Sequence, residues 1–199
     1  MRCIQSAKEH GEELIVDLVL FHAINGLAGE NDIADDLMAF CAVYMPWVFI
    51  ALLVGLWFTR KPIAQGTVLI TAAATSIALA IGQAIGWSIQ RPRPYVHHSV
   101  ILLVGRTTDF SFPSDHATFA FSIVWPVLAQ HRKMGYLMLA MAIWLCFARV
   151  FVGAHYPSDV FVGAVLGSVV SLSLLRFLRD RREDVLAPVI GFFHNLHLG

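Results

Sequence analysis

Four stretches of this chain are apolar almost without interruption: residues 37–58, 64–89, 135–153 and 159–178. A helix needs about 20 such residues to cross ~30 Å of hydrocarbon. Inside lipid the backbone must satisfy its own polar groups, which such runs do as helices. The chain therefore reads as an all-α, polytopic membrane helix bundle. A fifth stretch, residues 115–130, is short and contains Pro126, but polar turns flank it and it reads as a span. Residues 13–28 carry Asp17 and His22 within a short apolar run. They are expected either to cross obliquely as a sixth helix or to lie amphipathically in the interface. Composition agrees: 57% of residues are hydrophobic and 14% charged, against about 25% charged in soluble domains.

The 199 residues suit one domain, 1–199, with no internal repeat. A formal net charge of zero gives nucleic acid no electrostatic footprint. Cys3, Cys41 and Cys146 form no spaced pair, so neither a disulfide framework nor a zinc ribbon is expected. The first eleven residues are polar and resemble no removable signal peptide.

Cations cluster on cytoplasmic loops in membrane proteins. Arg60 and Lys61 follow the first strong span, Arg132 and Lys133 the third, and Arg176, Arg179, Arg181 and Arg182 the last. If the five spans alternate, these groups share one side, joined by Arg2 and Lys8 if the N-terminal helix crosses. The basic turns are then cytoplasmic. Arg91, Arg93, Arg106 and Arg149 are left facing outward. That places them at the outer face of a cell's inner membrane, toward the periplasm in a bacterium.

Those arginines have companions. The long connection 90–114 contains RPRPY, from Arg91 to Tyr95, and closes with PSDHA, from Pro113 to Ala117. The other outward turn contains ARVFVGAHYPSD, from Ala148 to Asp159. Guanidinium groups match phosphate oxygens in a bidentate way. Ser114 precedes an apolar run, where a helix N-terminus offers free N–H groups to an anion. His116 and His155 supply a nucleophile and an acid. Asp159 lies four residues after His155, so a helical turn would set the carboxylate to fix the imidazole tautomer.

These segments resemble the type 2 phosphatidic acid phosphatase superfamily, whose signature runs K-x6-R-P, P-S-G-H and S-R-x5-H-x3-D. Here the parts are Arg93-Pro94, Pro113-Ser114-Asp115-His116, and Ala148-Arg149 with His155 and Asp159. FHAINGLAGENDIADDLMAF near the N-terminus is similar to the bacitracin-resistance branch of undecaprenyl-diphosphate phosphatases. Three positions depart from the pattern. Gly86 stands where the motif lysine would fall (Ala84, counting from Arg91), Asp115 replaces the glycine, and Ala148 the serine.

The resemblance implies a lipid phosphatase that hydrolyses undecaprenyl diphosphate outside the membrane, with no metal and no cofactor. His155 would attack phosphorus, Asp159 would orient it, and His116 would protonate the leaving group and then activate water. Arg93, Arg149 and Ser114 would cradle the phosphate. Arg91 is the candidate replacement for the lysine, and Asp115 would bond a donor beside the phosphate or stay protonated. His97 and His98 read as interfacial residues, with substrate contact as the alternative. Phosphatidate or phosphatidylglycerophosphate phosphatases and lipid phosphotransferases share the signature. A small transporter or a zinc site at His97, His98, His116, His155 and Asp159 are the readings from other classes.

Overall fold

A computed structural model describes residues 15–179 together with 187, 188, 190 and 191. The readings placed on residues 1–14, on Arg181 and Arg182, and on most of the apolar tail lie outside the described residues. Among the described residues from 15 to 179 the helices run in order: α1 (Ile15–Asn25), then α2 (Asp32–Trp57), α3 (Pro62–Ile89), α4 (Pro94–His97), α5 (Asp115–Gln130), α6 (Arg132–Phe151) and α7 (Pro157–Phe177). The long apolar runs are all helical, and four of them (α2, the stretch beginning with α3, α6 and α7) are long and apolar enough to cross a membrane. The protein is a multi-pass membrane protein.

Local chemistry sets the boundaries. The Asn31 side chain accepts hydrogen bonds from the Ile33 and Ala34 N–H groups and starts α2. Proline occupies the first position of α3, α4 and α7, where its missing N–H is no loss. Gln90, in the left-handed conformation, closes α3 just before the RPRP segment.

Helices α2, α3, α5, α6 and α7 alternate in direction, so the C-terminal ends of α3 and α6 meet the starts of α5 and α7. The basic turns at Arg60–Lys61 and Arg132–Lys133 lie at the opposite end. Short α5 is the central helix: α3, α6 and α7 all pack on it. Ala117, Ala120, Val124 and Val127 of α5 are fully buried, whereas Trp47, Trp87 and Phe161 on the surrounding helices are exposed. Apolar side chains facing outward are what a lipid solvent permits. The described part of α1 has 11 residues, about 16 Å of helix, roughly half the hydrocarbon thickness. Its Phe21 packs into the cluster of Ala117, Val150, Tyr156 and Val160. Asn25 ties its end to the bundle by donating to the Ile101 and Phe151 carbonyls.

Close approach of α7 to α5 depends on glycine. A Cβ at Gly167 would lie 2.4 Å from the Thr118 carbonyl oxygen, and one at Gly163 would lie 2.5 Å from that of Ser114. Small residues at such contacts let membrane helices pack backbone to backbone. Gly167→Ala is expected to destabilise the bundle by about 1–3 kcal/mol through overpacking. A lowered unfolding temperature in detergent checks this, and an unchanged one refutes it.

Candidate active site

The ends of α3 and α6 and the starts of α5 and α7 bring the motif segments together. The Ser114 N–H donates to the Asp159 carbonyl at 3.0 Å, joining the start of α5 to the first turn of α7. Between α6 and α7 the chain reverses at Gly153, whose φ of +79° suits glycine. A Cβ there would meet the Ile101 carbonyl oxygen at 2.9 Å. The reversal lets the Ala154 and His155 N–H groups close back on the Arg149 carbonyl.

His155 is 1% exposed, and its tautomer follows from its neighbours. Nδ1 lies 2.8 Å from the Ser111 carbonyl oxygen, which can only accept. Nε2 lies 3.1 Å from Arg93 Nη1, which can only donate. Nδ1 therefore carries the proton and Nε2 holds a lone pair. Burial, reinforced by the Arg149 and Arg93 guanidiniums, pushes this imidazole well below the usual histidine value. The ring is a neutral base whose free nitrogen faces cations.

Asp159 is fully buried at the third position of α7. Its Oδ2 accepts from the Ser111 hydroxyl at 2.5 Å and the Tyr156 N–H at 2.9 Å, and Oδ1 accepts from Arg91 at 2.6 Å. Oδ2 stands 3.7 Å from His155 Nδ1. The expectation that Asp159 itself fixes the tautomer is thus corrected: the Ser111 carbonyl holds Nδ1, and the carboxylate sits just behind. With a neutral ring the approach is not yet an ion pair; it becomes one when the ring gains charge. Ser111 was missed in the sequence, where its one signal is a polar residue inside the FSFP run before the histidine motif.

Arg93 is buried and donates to the Ala154 carbonyl at 3.0 Å, and its Nη2 donates to Asp109 Oδ2 at 3.0 Å. Partial burial of Asp109 works against its ionisation, but a hydrogen bond from Thr107 and the charge of Arg93 outweigh this and hold the carboxyl below its usual range. Arg149, on the last turn of α6, is 7% exposed. Its Nη1 reaches the Ala42 carbonyl at 3.3 Å, and its Nε has no partner. The Ser114 hydroxyl, fully buried, is likewise unpartnered. Orphaned donors in this setting fit a ligand rich in acceptors.

Arg91 behaves otherwise. Expected as a phosphate ligand in place of the lysine, it donates to Asp17, Ser158 and Asp159. Gly86, the lysine's position, packs against the neighbouring segment, since a Cβ there would lie 3.2 Å from the Phe112 carbonyl oxygen. One turn earlier Gln83 donates to Asp115 Oδ2 at 2.7 Å. Both line a cleft of about 300 Å³ with Trp87, Asp109 and Phe110. His116, second residue of α5, is half-buried. His97 is exposed, and His98 stacks edge-on against Tyr156. Among the described residues no three His, Cys, Asp or Glu side chains gather as metal ligands.

Residues 65–183 match the PAP2 superfamily, a stretch that holds every motif residue above. The chain belongs to the PAP2 superfamily. Its relatives include undecaprenyl-diphosphatase BcrC of Bacillus subtilis, 33% identical over 86% of each chain. An undecaprenyl-diphosphatase of Sulfolobus acidocaldarius is 30% identical, over 81% of this chain and 78% of its own. The crystal structure of Aquifex aeolicus LpxE superposes with a TM-score of 0.56 at 27% identity, covering 80% of this chain and 94% of LpxE. The PAP2 chain described here is therefore a membrane phosphatase.

Proposed function

We propose that this PAP2 phosphatase hydrolyses undecaprenyl diphosphate to undecaprenyl phosphate and orthophosphate through a phosphohistidine on His155, at the outer face of the cytoplasmic membrane. The observation that carries the reading is the protonation pattern of His155, with Nε2 unprotonated beside the Arg93 guanidinium. A neutral, buried imidazole with its lone pair among cations is a nucleophile for an anionic phosphorus.

His155 Nε2 attacks the terminal phosphorus and takes over the direction now filled by Arg93. The bond from phosphorus to the bridging oxygen breaks, and His116 protonates undecaprenyl phosphate as it leaves. The ring, still carrying Nδ1–H, becomes cationic and meets Asp159. His116 then takes a proton from water, whose oxygen attacks phosphorus and returns the electron pair to Nε2. Arg93, Arg149 and Ser114 hold the equatorial oxygens, where charge must be stabilised in phosphoryl transfer. The names of the undecaprenyl-diphosphatase relatives support the substrate. An outward site also suits a carrier lipid left outside as its diphosphate, with recycling for wall synthesis and bacitracin resistance as the physiological setting.

Phosphate release by the purified protein from undecaprenyl diphosphate, in detergent with excess EDTA, is expected to exceed release from phosphatidate. A preference for phosphatidate overturns the substrate assignment. Activity that EDTA abolishes overturns the metal-free mechanism.

A further inference from the structure

Asp17 is the one acidic side chain among the described residues of the apolar α1, and a carboxylate in such a helix needs a reason. It is 8% exposed and turned inward. Oδ1 accepts from the Ser158 N–H at 2.9 Å, and Oδ2 accepts from the Ser158 hydroxyl and Arg91 Nη2, each at 2.6 Å. Arg91 carries the connection on: its Nη1 donates to Ser158 Oγ at 2.7 Å and to Asp159 Oδ1 at 2.6 Å. The guanidinium lies 4.0 Å above the Tyr156 ring, which fixes its plane. One arginine thus joins two buried carboxylates, one from α1 and one beside His155.

Charge accounting gives this bridge a consequence. On the Nδ1 side of the ring, Arg91 offsets much of the charge of Asp159. Asp17 offsets Arg91 in turn, so the Nδ1 side of the ring holds two carboxylates against one guanidinium, opposite Arg93 at Nε2. The bridge also takes up Oδ1 from behind and leaves Oδ2 directed at Ser111, Tyr156 and His155. We propose that Asp17 is a positioning residue of the reaction, which holds Arg91 on Asp159 and so maintains an oriented, negatively charged partner for His155. The inference rests on the reading of His155 as the nucleophile. It makes α1 part of the catalytic support rather than a membrane attachment.

The test uses the full-length protein in detergent with undecaprenyl diphosphate. Asp17→Asn is expected to lower kcat about tenfold or more while KM stays within about twofold, as for loss of a charge-assisted contact that matters as the ring becomes cationic. Asp17→Glu, which keeps the charge, recovers part of kcat. Because Asp17 acts through Arg91, adding Asp17→Asn to Arg91→Gln is expected to slow the enzyme no further. Should Asp17→Asn fail to fold, Ser158→Ala removes the hydroxyl shared by the bridge, with kcat falling about threefold at constant KM. An unchanged kcat, a loss carried by KM alone, or an additive double variant overturns the proposal. His155→Ala measured alongside separates the two readings. If it still turns over, the nucleophile assignment falls; if it is inactive while Asp17→Asn is fully active, the role of Asp17 alone falls.

Discussion

His155→Ala is expected to reduce phosphate release by about a thousandfold or more, the scale on which loss of a nucleophile is felt. The side chain is buried and both ring nitrogens are engaged, so the imidazole is held in one orientation and its truncation removes the positioned lone pair. Rapid quenching with labelled substrate supplies the decisive readout. The wild type should carry a transient phosphoryl group that is labile in acid and stable in alkali, as expected of a phosphoramidate. His155→Ala should carry none. His116→Ala should hold the label longer than the wild type, because the residue that activates water for the second step is gone. Turnover by His155→Ala within about tenfold of wild type would remove it from the nucleophile's role.

The helices were legible because lipid imposes one strong rule, a length of apolar sequence; all five expected stretches are helical, and four of the helices are long and apolar enough to cross a membrane. The motif residues were legible because their spacing places them at helix ends on one side. Roles set by contacts remote in sequence were not. Ser158 meets Asp17 across 141 positions, and Ser111 meets Asp159 across 48; no local pattern encodes either.

Arg91 and Arg93 show the limit most clearly. Each precedes a proline, which drives the residue before it to extended or polyproline backbone; Arg93 has φ −71° and ψ 155°. A polyproline helix has three residues per turn, so side chains two apart diverge by roughly 120°. Arg93 turns to His155 and Arg91 to the two carboxylates. A count of cations treats the pair as equivalent, while the backbone gives them different tasks. The missing lysine is similar: at Gly86 a Cβ would lie 3.2 Å from the Phe112 carbonyl oxygen, a closeness set by a segment 26 positions away.

Arg149→Met should separate stability from activity with opposite signs. This guanidinium is almost fully buried, has one long bond to the Ala42 carbonyl, and leaves Nε without a partner among the described residues. A buried charge so poorly satisfied is destabilising, and an apolar side chain of similar length is expected to raise stability by about 1–3 kcal/mol. The same change removes a fixed cation from the place where phosphoryl charge spreads, so kcat should drop about a hundred- to a thousandfold. Arg149→Lys keeps the charge but not the planar fork, and recovers only part of the rate. Thermal unfolding in detergent with and without orthophosphate reads both halves. Phosphate should raise the wild-type midpoint by mass action and leave that of Arg149→Met unmoved. A Met variant that unfolds earlier than wild type and still responds to phosphate would assign Arg149 to the scaffold. The expected result, a sturdier but inactive protein, means that the fold tolerates an incompletely hydrogen-bonded guanidinium at the end of α6 because the substrate's phosphate supplies its missing acceptors.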